Sequence, residues 1–334
     1  MHEPISNSTH SDYRRFYAPI QTEMEHVETL LKSFLECENP FISQVVHHGF
    51  QLGGKRMRPA LLLLFARMAG EVLPEHEILA AAVETIHASS LVHDDVLDEA
   101  DMRRHLPTVN AEWNNETSVL LGDFMIARAI RQVIALKQPD YNDLIASVCC
   151  RLCEGEMRQV GFRGCFTLTE EQYRSIISDK TAALCEIACA LGVHRVAGIS
   201  EKQKQAAQAF GHGLGMAFQI VDDLLDLFGD EALTGKSLGT DLQKQKLTLP
   251  LIRLLAALDE ERRNDLIQQI QRDAGEELRL ALRDRFDEFH IRESVRATAD
   301  EYLNGAIHAL DAFEDGDAKD SLIGIARFVL TRKL

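Results

Sequence analysis

The sequence is poor in the features that mark fibrous, disordered or membrane-spanning proteins. It has only 8 prolines and 20 glycines in 334 residues, and 46% of its residues are hydrophobic, which indicates a globular chain that can bury one large core or two ordinary ones. No apolar run is long enough to span a membrane, since the longest candidate, Ala60 to Phe65, is followed by Arg67. Because strand-type alternation is also scarce, the pattern favours helices.

Positive charge is in short supply as well. Lysine and arginine number 36 against 52 aspartates and glutamates, so the formal net charge is −16. This balance disfavours general binding to nucleic acid or to an anionic membrane surface, and we predict no nucleic-acid partner. An anionic substrate would need a local basic patch or metal ions to overcome the background charge.

The cysteines do not indicate a disulfide framework. There are seven of them, an odd number, and the polar residues 1–15 lack the apolar segment of a signal peptide. We therefore expect reduced thiols in a cytoplasmic protein without a transmembrane segment. Cys149, Cys150 and Cys153 have a spacing seen in zinc sites, but no second cysteine pair or paired histidine accompanies them, so packing in the core is the favoured interpretation.

Helical patterns follow one another from Pro19 to the end of the sequence, and no linker-like segment divides them. We predict a flexible polar tail over residues 1–15 and a single all-helical domain over 16–334, an all-α bundle with short connections. The predicted helices cover residues 59–68, 74–98, 119–136, 143–160, 169–191 and 201–228, with several more between Pro250 and Arg332.

The most informative feature that is present is the pattern DDxxD, which occurs twice, at Asp94–Asp98 and at Asp222–Asp226. Carboxylates four positions apart lie on one face of a helix. If the two faces meet inside a bundle, their negative charge would be costly there, and Mg²⁺ with phosphate oxygens as further ligands would relieve it. One copy alone is more often a solvated acidic surface, but two copies in apolar helices favour a polyphosphate site.

Basic segments near these motifs are candidates for binding the phosphates. Residues 53–59, GGKRMRP, combine flexible backbone, three cations and a helix start, and a helix N-terminus favours phosphate. Arg103 and Arg104 follow the first motif and suit bidentate binding of a diphosphate. Further candidates are Lys180, Lys236 and Lys246. A solvated basic turn is the plainer alternative for residues 53–59, and Lys180 and Lys236 could equally be ordinary solvated lysines.

Taken in order, the motifs resemble those of the trans-isoprenyl diphosphate synthases, the head-to-tail polyprenyl synthases. The matching segments are GGKRMRP at 53–59, His87, DDVLD at 94–98, RR at 103–104, LLGD at 120–123, GE..Q at 155–159, KT at 180–181, FQIVDDLLD at 218–226, GKSLGTD at 235–241 and K.TLP at 246–250. The resemblance implies a helical bundle of the isoprenoid synthase type with a central cavity. It also implies condensation of isopentenyl diphosphate onto an allylic diphosphate primer.

The resemblance implies roles for individual residues. The metal ligands would be Asp94, Asp98 and Asp222, supported by Asp95, Asp223 and Asp226, with three Mg²⁺ ions per active site. The allylic diphosphate would be bound by Arg103, Lys180 and Lys236. Isopentenyl diphosphate would be bound by Lys55, Arg58, His87 and Arg104. The residues expected to take part directly in catalysis are Asp94, Asp98, Asp222, Lys180, Gln219 and Arg103.

Other positions implied by the resemblance lie around the reacting carbon and over it. Gln219 and Thr181 would stand beside the carbocation, and Gln159 would lie on a helix of the same cavity. Lys246, a further substrate-binding residue, and Asp241 would belong to a loop over residues 229–246 that closes on the substrates. The family usually forms homodimers through helices near LLGD. The family often has Gly after the paired arginines, where this chain has His105, which can change the conformation of that turn.

The helix before the first motif bears on product length. In the family, a bulky aromatic residue just upstream of this motif stops chain growth, whereas Ser89 stands at that position here. The product path would pass residues that are mostly small: Ser89, Ser90, Thr85, Ile86 and Ala82. It rises about 18 Å from Ala82 to Asp94, at about 1.5 Å per residue. We predict a hexaprenyl or longer product. Ordinary helix packing is the plainer interpretation of these residues, and Met125 or Ala129 could still provide a floor.

Three alternatives stay open on the sequence alone. A terpene cyclase would share the first DDxxD motif and the helical shell, but it would normally replace the second copy. A non-catalytic partner subunit of a heteromeric synthase would tend to lose aspartates or basic residues that this chain retains. A shorter product, farnesyl or geranylgeranyl diphosphate, is the third alternative.

Overall fold

The computed structural model describes residues 15–51, 54–229 and 238–330. Most of the tail predicted over residues 1–15 lies outside these ranges, and so does Lys236. The described chain is almost entirely helical, which confirms the all-α prediction. Its helices are α1 Gln21–Phe34, α2 Pro40–Gln51, α3 Met57–Ala69, α4 Pro74–Leu97, α5 Val109–Glu112, α6 Asn115–Ala135, α7 Pro139–Gly161, α8 Glu170–Ile177, α9 Ala183–Val193, α10 Glu201–Phe228, α11 Thr240–Gln243, α12 Leu249–Ala257, α13 Glu260–Arg272, α14 Glu276–Glu288, α15 Ile291–Ala309 and α16 Asp317–Leu330.

Three kinds of short element interrupt this series. Residues Arg15–Ile20 and Leu310–Ala312 form 3₁₀ helices. A short antiparallel hairpin follows α4. Its strands, β1 Met102–Arg103 and β2 Leu106–Pro107, have two residues each, and Met102 pairs with Pro107. The helix predicted over 169–191 is in fact α8, a π-helical turn over Ser178–Ala182, and α9. A π-helical turn depends on tertiary contacts, which the sequence pattern does not reveal.

Local sequence signals explain where several helices begin. Ser200 precedes α10 and its hydroxyl accepts a hydrogen bond from the backbone N–H of Gln203 at 3.3 Å, while the Ser200 backbone N–H donates to Gln203 Oε1 at 3.0 Å. This reciprocal capping satisfies two N–H groups that the helix itself cannot. Pro74 and Pro139 stand at the first positions of α4 and α7, where the missing N–H has no consequence.

The core is built around α3, whose residues from Ala60 to Ala66 are all fully buried. A helix that is apolar all round must be surrounded by others, and α3 packs against α4, α9 and α16. Helix α9 also packs against both α4 and α10. It therefore lies between the two helices that carry the DDxxD motifs. Within the described ranges, no helix combines the length and apolar character needed to cross a bilayer.

All seven cysteines lie in the described ranges and are free thiols. The expectation that the Cys149–Cys153 cluster packs in the core is wrong for Cys150 and Cys153, which are exposed on α7. No group of three or more potential metal ligands among His, Cys, Asp and Glu forms in the described ranges, which leaves the zinc interpretation without support.

The close packing of α9 on α3 requires a glycine. A Cβ atom added at Gly192 would lie 2.8 Å from the Cβ of Phe65 and in contact with the backbone oxygen of Leu62. We expect Gly192→Ala to lower the free energy of unfolding by about 1–3 kcal/mol, because the two backbones would have to separate. Denaturant unfolding measures this.

Gly305→Ala is the matched control, since a Cβ at this position in α15 meets nothing within 4 Å. Replacing an unhindered helix glycine by alanine should raise the free energy of unfolding by about 0.5–1 kcal/mol. Equal destabilisation by both substitutions would contradict the packing argument.

Candidate active site

The first DDxxD motif stands at the end of α4. Asp94 and Asp95 lie in its last turn, and Asp98 follows it as the C-cap. Asp95 is only 2% exposed, and its two carboxylate oxygens accept hydrogen bonds from Nε of Arg103 at 2.9 and 3.1 Å. Asp95 therefore already has a fixed cationic partner in this structure.

Arg103 reaches Asp95 because the β1–β2 hairpin turns the chain directly after the motif. The two turn residues, Arg104 and His105, have φ angles of 52° and 65°. Both values lie in the left-handed region, which a two-residue hairpin turn requires and which favours Gly or Asn. His105, where the resemblance led us to expect glycine, thus has a φ that glycine reaches at little cost, and each such non-glycine residue carries strain of order 1–3 kcal/mol.

A basic cluster surrounds His87 on α4. The pKa of His87 is held well below its ordinary value, first because burial disfavours the charged imidazolium and then because guanidinium groups lie nearby. These groups belong to Arg58, Arg103, Arg104 and Arg56. Of the residues expected to bind isopentenyl diphosphate, the structure therefore brings His87, Arg58 and Arg104 together.

Two neighbours support this basic cluster. Nε of Arg56 lies 2.7 Å from Oε1 of Glu28, and its Nη1 lies 3.1 Å from Oε1 of Glu84. Glu84 is only 2% exposed, so a buried carboxylate holds Arg56 in place. Lys55 lies at the edge: its ammonium is 5.5 Å from the ring centroid of Phe328, and its backbone oxygen accepts a hydrogen bond from the Tyr17 hydroxyl.

Lys180 lies in the π-helical turn and faces the first motif. Its ammonium is 4.0 Å from Asp94 Oδ1, donates to Gln159 Oε1 at 2.7 Å and forms an ion pair with Glu156. Burial raises the pKa of Asp94 to about 6; Lys180 opposes this shift, while Glu156 and Asp98 add to it. The pKa of Asp94 is thus raised chiefly because the carboxyl is buried, and the nearby cations Lys180 and Arg103 only partly oppose the shift.

In the second motif, Asp223 is 3% exposed, and each of its carboxylate oxygens accepts a hydrogen bond. It accepts from the hydroxyl of Tyr173 at 2.5 Å and from Nε2 of Gln219 at 2.8 Å. Gln219 Oε1 in turn accepts from the hydroxyl of Thr181 at 2.8 Å. This chain of bonds ties α10 to α8 and to the π-helical turn, and it orients the two residues expected beside the carbocation.

Asp226 has a different setting from Asp223. Its carboxylate accepts hydrogen bonds from the backbone N–H and hydroxyl of Thr240, at 3.3 and 3.1 Å, and from the backbone N–H of Asp241 at 3.2 Å. It therefore holds the start of the short helix α11. Burial and the nearby carboxylate of Asp241 raise the pKa of Asp226 to about 7.

Asp98 is held by cations from two other segments. Its Oδ1 lies 2.8 Å from Nζ of Lys246, 3.1 Å from Nζ of Lys244 and 3.7 Å from Nη2 of Arg163. Burial alone would raise the pKa of Asp98, but the two lysines outweigh it and the pKa is lowered. The described residues of the expected closing loop therefore contact the first motif through Lys244 and Lys246.

Asp241 connects the two motifs electrostatically. Its pKa is raised, first by burial and then by the carboxylates of Asp98 and Asp222, while Lys246, 3.8 Å away, opposes the shift. One carboxylate is thus close enough to respond to both DDxxD motifs. The motifs face a shared interior rather than opposite outer surfaces.

The chemistry of this interior suits a hard divalent cation. The aspartates offer only oxygen ligands, and the pKa values of Asp94 and Asp226 are raised by burial and then by neighbouring carboxylates, a shift that a bound divalent cation would oppose. Across the described ranges, however, no three of these side chains stand close enough to form a ready metal site. Protein cations hold Asp95 and Asp98 instead.

The residues expected to determine product length all lie in one stretch of helix α4. Ala82, Thr85 and Ser89 are fully buried and Ile86 is 1% exposed, while Ser90 is half-buried. Ser89 donates a hydrogen bond to the backbone oxygen of Gly122 on α6 at 2.8 Å. Met125 and Ala129, the other floor candidates, are fully buried on the same helix as Gly122.

The sequence did not point to several residues that contact the expected ones. Glu156 lies within the GE..Q segment, three residues before Gln159, so the motif could have indicated that Glu156 also contacts Lys180. Tyr173, Arg163 and Lys244 lie outside every motif, and only the tertiary structure brings them to Asp223 and Asp98.

Comparison with known proteins identifies the family. A polyprenyl synthetase family model matches residues 39–283. The chain belongs to the polyprenyl synthetase family. It is a trans-prenyl diphosphate synthase, a prenyltransferase, as the motifs predicted, and the terpene cyclase alternative is set aside.

The relatives cover nearly the whole chain. Heptaprenyl diphosphate synthase component 2 of Geobacillus stearothermophilus is 33% identical over 95% of this chain and 98% of its own length. A decaprenyl diphosphate synthase structure from Rhodobacter capsulatus matches with a TM-score of 0.90, 34% identity, 96% of this chain and 99% of that one. A polyprenyl synthase structure from Caulobacter crescentus CB15, complexed with calcium and isoprenyl diphosphate, matches with a TM-score of 0.90, 30% identity, 96% of this chain and 98% of that one. The expected isoprenoid synthase fold is confirmed.

The lowered pKa of His87 predicts a pH-dependent contribution to stability. In the unfolded chain the imidazole takes up a proton near pH 6.5, whereas in the folded protein it stays neutral to lower pH. The unfolded state therefore binds more protons as the pH falls through this range, and the folded state loses stability. We expect His87→Gln to weaken the fall in the free energy of unfolding between about pH 7.5 and about pH 5.5.

Denaturant unfolding at the two pH values tests this expectation. His308→Gln is the control for loss of a histidine, because that side chain is 86% exposed. An identical pH dependence in His87→Gln and the parent protein would show that burial among the arginines does not govern His87.

Proposed function

We propose that the chain joins isopentenyl diphosphate head to tail to an allylic diphosphate by Mg²⁺-assisted ionisation. The observation that carries this proposal is the presence of two adjoining sets of anion-binding residues. One set surrounds His87 with guanidinium groups. The second set consists of Lys180 and the aspartates of the first motif beside it. Arg103 belongs to both sets, since it binds Asp95 and also lowers the pKa of His87.

The two sets divide the substrates between them. In this proposal the isopentenyl diphosphate site comprises Lys55, Arg58, His87 and Arg104. The allylic diphosphate site comprises Arg103, Lys180 and Lys236, and Lys246 is a further substrate-binding residue on the closing loop. The metal ligands are Asp94, Asp98 and Asp222, with Asp95, Asp223 and Asp226 in support. The hydrogen-bonding of Asp95 and Asp223 to protein groups favours such a supporting role for both.

Ionisation starts the reaction. The allylic C–O bond breaks, its electron pair leaves with the diphosphate, and a carbocation remains. Bound Mg²⁺ would supply Lewis-acid stabilisation of the departing diphosphate. Lys180 and Arg103 are fixed cations beside the motif aspartates, so they would stabilise the same growing charge without reorganising.

Carbon–carbon bond formation completes the reaction. The double bond of isopentenyl diphosphate attacks the carbocation, and a proton then leaves the adjacent carbon for an oxygen of the departed diphosphate. Gln219 and Thr181, held together by their hydrogen bond, would flank the cation. The turn that carries Lys244 and Lys246 would keep water away from it, and that turn already rests on Asp98.

Asp94→Ala tests the metal assignment. We expect turnover to fall by about 10²–10³-fold, because the substitution removes a ligand of the group that stabilises the leaving diphosphate. Far-UV circular dichroism should show unchanged helicity. The assay is diphosphate release from isopentenyl diphosphate and farnesyl diphosphate with Mg²⁺, followed by chromatography of the prenyl products.

Asp265→Ala serves as the control, since Asp265 is an exposed aspartate on α13. Turnover close to that of the parent protein in Asp94→Ala would remove Asp94 from the metal site. If the parent protein forms product only when a second subunit is added, the heteromeric alternative is favoured instead. This alternative is included because one relative is named as component 2 of its synthase.

Product length is the finer part of the proposal. A hexaprenyl or longer product is supported by Ser89, a small side chain at the position where a bulky aromatic residue would stop growth. The relatives named above as heptaprenyl and decaprenyl synthases agree with this choice. A geranylgeranyl or farnesyl product is the alternative.

Ser89→Phe should shorten the product, because the ring would enter the space between α4 and α6. Product chromatography against prenyl standards measures the change. Ser89→Ala is the matched control: it removes the hydrogen bond to Gly122 without adding volume and should leave the product distribution unchanged. An unaltered distribution in a folded Ser89→Phe variant would place the product path elsewhere.

We also propose a homodimer formed through α6 and its surroundings. Leu120 is 67% exposed and Val119 is 43% exposed, and Met157 on α7 is 65% exposed. Large apolar side chains exposed in this way are typical of protein–protein contacts.

A further inference from the structure

The π-helical turn over Ser178–Ala182 is an irregular part of the active-site wall. It adds one residue to a helical turn, so its side chains do not follow the rotation of the α-helices on either side. Because successive residues of a helix differ by about 100°, a shift of the π turn by one position would turn Lys180 away from Asp94. The register of this turn therefore has to be held by its neighbours.

Two glycines allow the neighbouring helices to close on the turn. A Cβ atom on Gly155 of α7 would lie 2.5 Å from the backbone nitrogen of Lys180. A Cβ atom on Gly215 of α10 would lie 2.5 Å from Cα of Ala182. Close packing confines the turn between two helices, but apolar contact with glycine does not distinguish one register from the next.

Charged side chains of α7 make that distinction. Glu156 and Gln159 bind Lys180. On the other side, Asp179 accepts a hydrogen bond from Nε of Arg151 at 2.9 Å and forms an ion pair with Nη2 of Arg158. Asp179 and Lys180 have opposite charges, so the pattern along α7 fits them in one register only.

The arginines are themselves held in place. Nη1 of Arg158 donates to the Ser175 hydroxyl at 2.7 Å, and Arg151 also contacts Glu186 of α9 at 3.3 Å. Asp179 is 20% exposed and the two arginines are 33% and 35% exposed. A partly buried network of this kind fixes geometry better than an isolated surface pair does.

We propose that Asp179, bound by Arg151 and Arg158, is a positioning residue that sets the register of the π-helical turn and so aims Lys180 at the allylic diphosphate. This inference rests on the proposed function of Lys180. In this proposal Asp179, whose carboxylate is bound by Arg151 and Arg158, acts through the residue that follows it.

The test is the separate measurement of KM for the two substrates in Asp179→Asn. We expect KM for the allylic diphosphate to rise about ten-fold, which corresponds to about 1.4 kcal/mol, while KM for isopentenyl diphosphate stays within about two-fold of the parent value. Asp179→Glu, which keeps the charge, should restore most of the loss. If Asp179→Asn fails to fold, Arg158→Lys is the second variant, because it keeps the charge but loses the planar fork, and it should show the same KM pattern more weakly.

Asp140→Asn is the matched control. Asp140 also lies on α7 and also binds two basic side chains, His194 at 2.9 Å and Arg195 at 3.0 Å, but neither contacts the π turn. It should change neither KM. A merely structural role for Asp179 would lower the melting temperature and change both KM values alike, which would overturn the inference.

Lys180→Met separates this inference from the proposal on which it rests. If Lys180→Met raises KM for the allylic diphosphate and Asp179→Asn does not, the positioning role of Asp179 is wrong and the role of Lys180 stands. If Lys180→Met leaves that KM unchanged, the assignment of Lys180 to the diphosphate is wrong and the positioning role falls with it.

Discussion

The structure depends on gathering carboxylates in a partly enclosed space. Burial raises the pKa of Asp94 to about 6 and that of Asp226 to about 7, and neighbouring carboxylates add to both shifts. Like charges in such a place are unfavourable unless cations compensate them. The protein supplies some compensation through Arg103, Lys180 and Lys246, and the remaining negative charge is what makes the interior suitable for divalent cations.

Departures from regular backbone geometry are concentrated around this interior. Arg104 and His105 form a left-handed turn after the first motif, Gln245 has a φ of 52° beside Lys244 and Lys246, and the π-helical turn carries Lys180. Each of these features is unfavourable by itself. Each also places a basic side chain next to a motif aspartate, so the favourable ion pairs and the local strain occur in the same segments.

Much of this arrangement was predictable because it follows from local rules. The helices α4 and α10 have long apolar patterns, and the spacing of the DDxxD motif puts its aspartates on one helical face. The family motifs then indicated which basic residues to expect near them. The break in the helix predicted over 169–191 was not predictable, since the segment has an ordinary helical pattern and the π turn depends on Gly155 and Gly215 of two other helices.

The helical class, the family and the motif aspartates can be read from the sequence alone, because periodicity and motif spacing act over a few residues. The partners of these aspartates are known only once the helices are packed together. Asp98 meets Lys244 and Arg163, and Asp223 meets Tyr173, across long stretches of chain. Such contacts arise from the packing of whole helices, and the local sequence around Asp98 or Asp223 does not indicate that Lys244, Arg163 or Tyr173 will lie within reach.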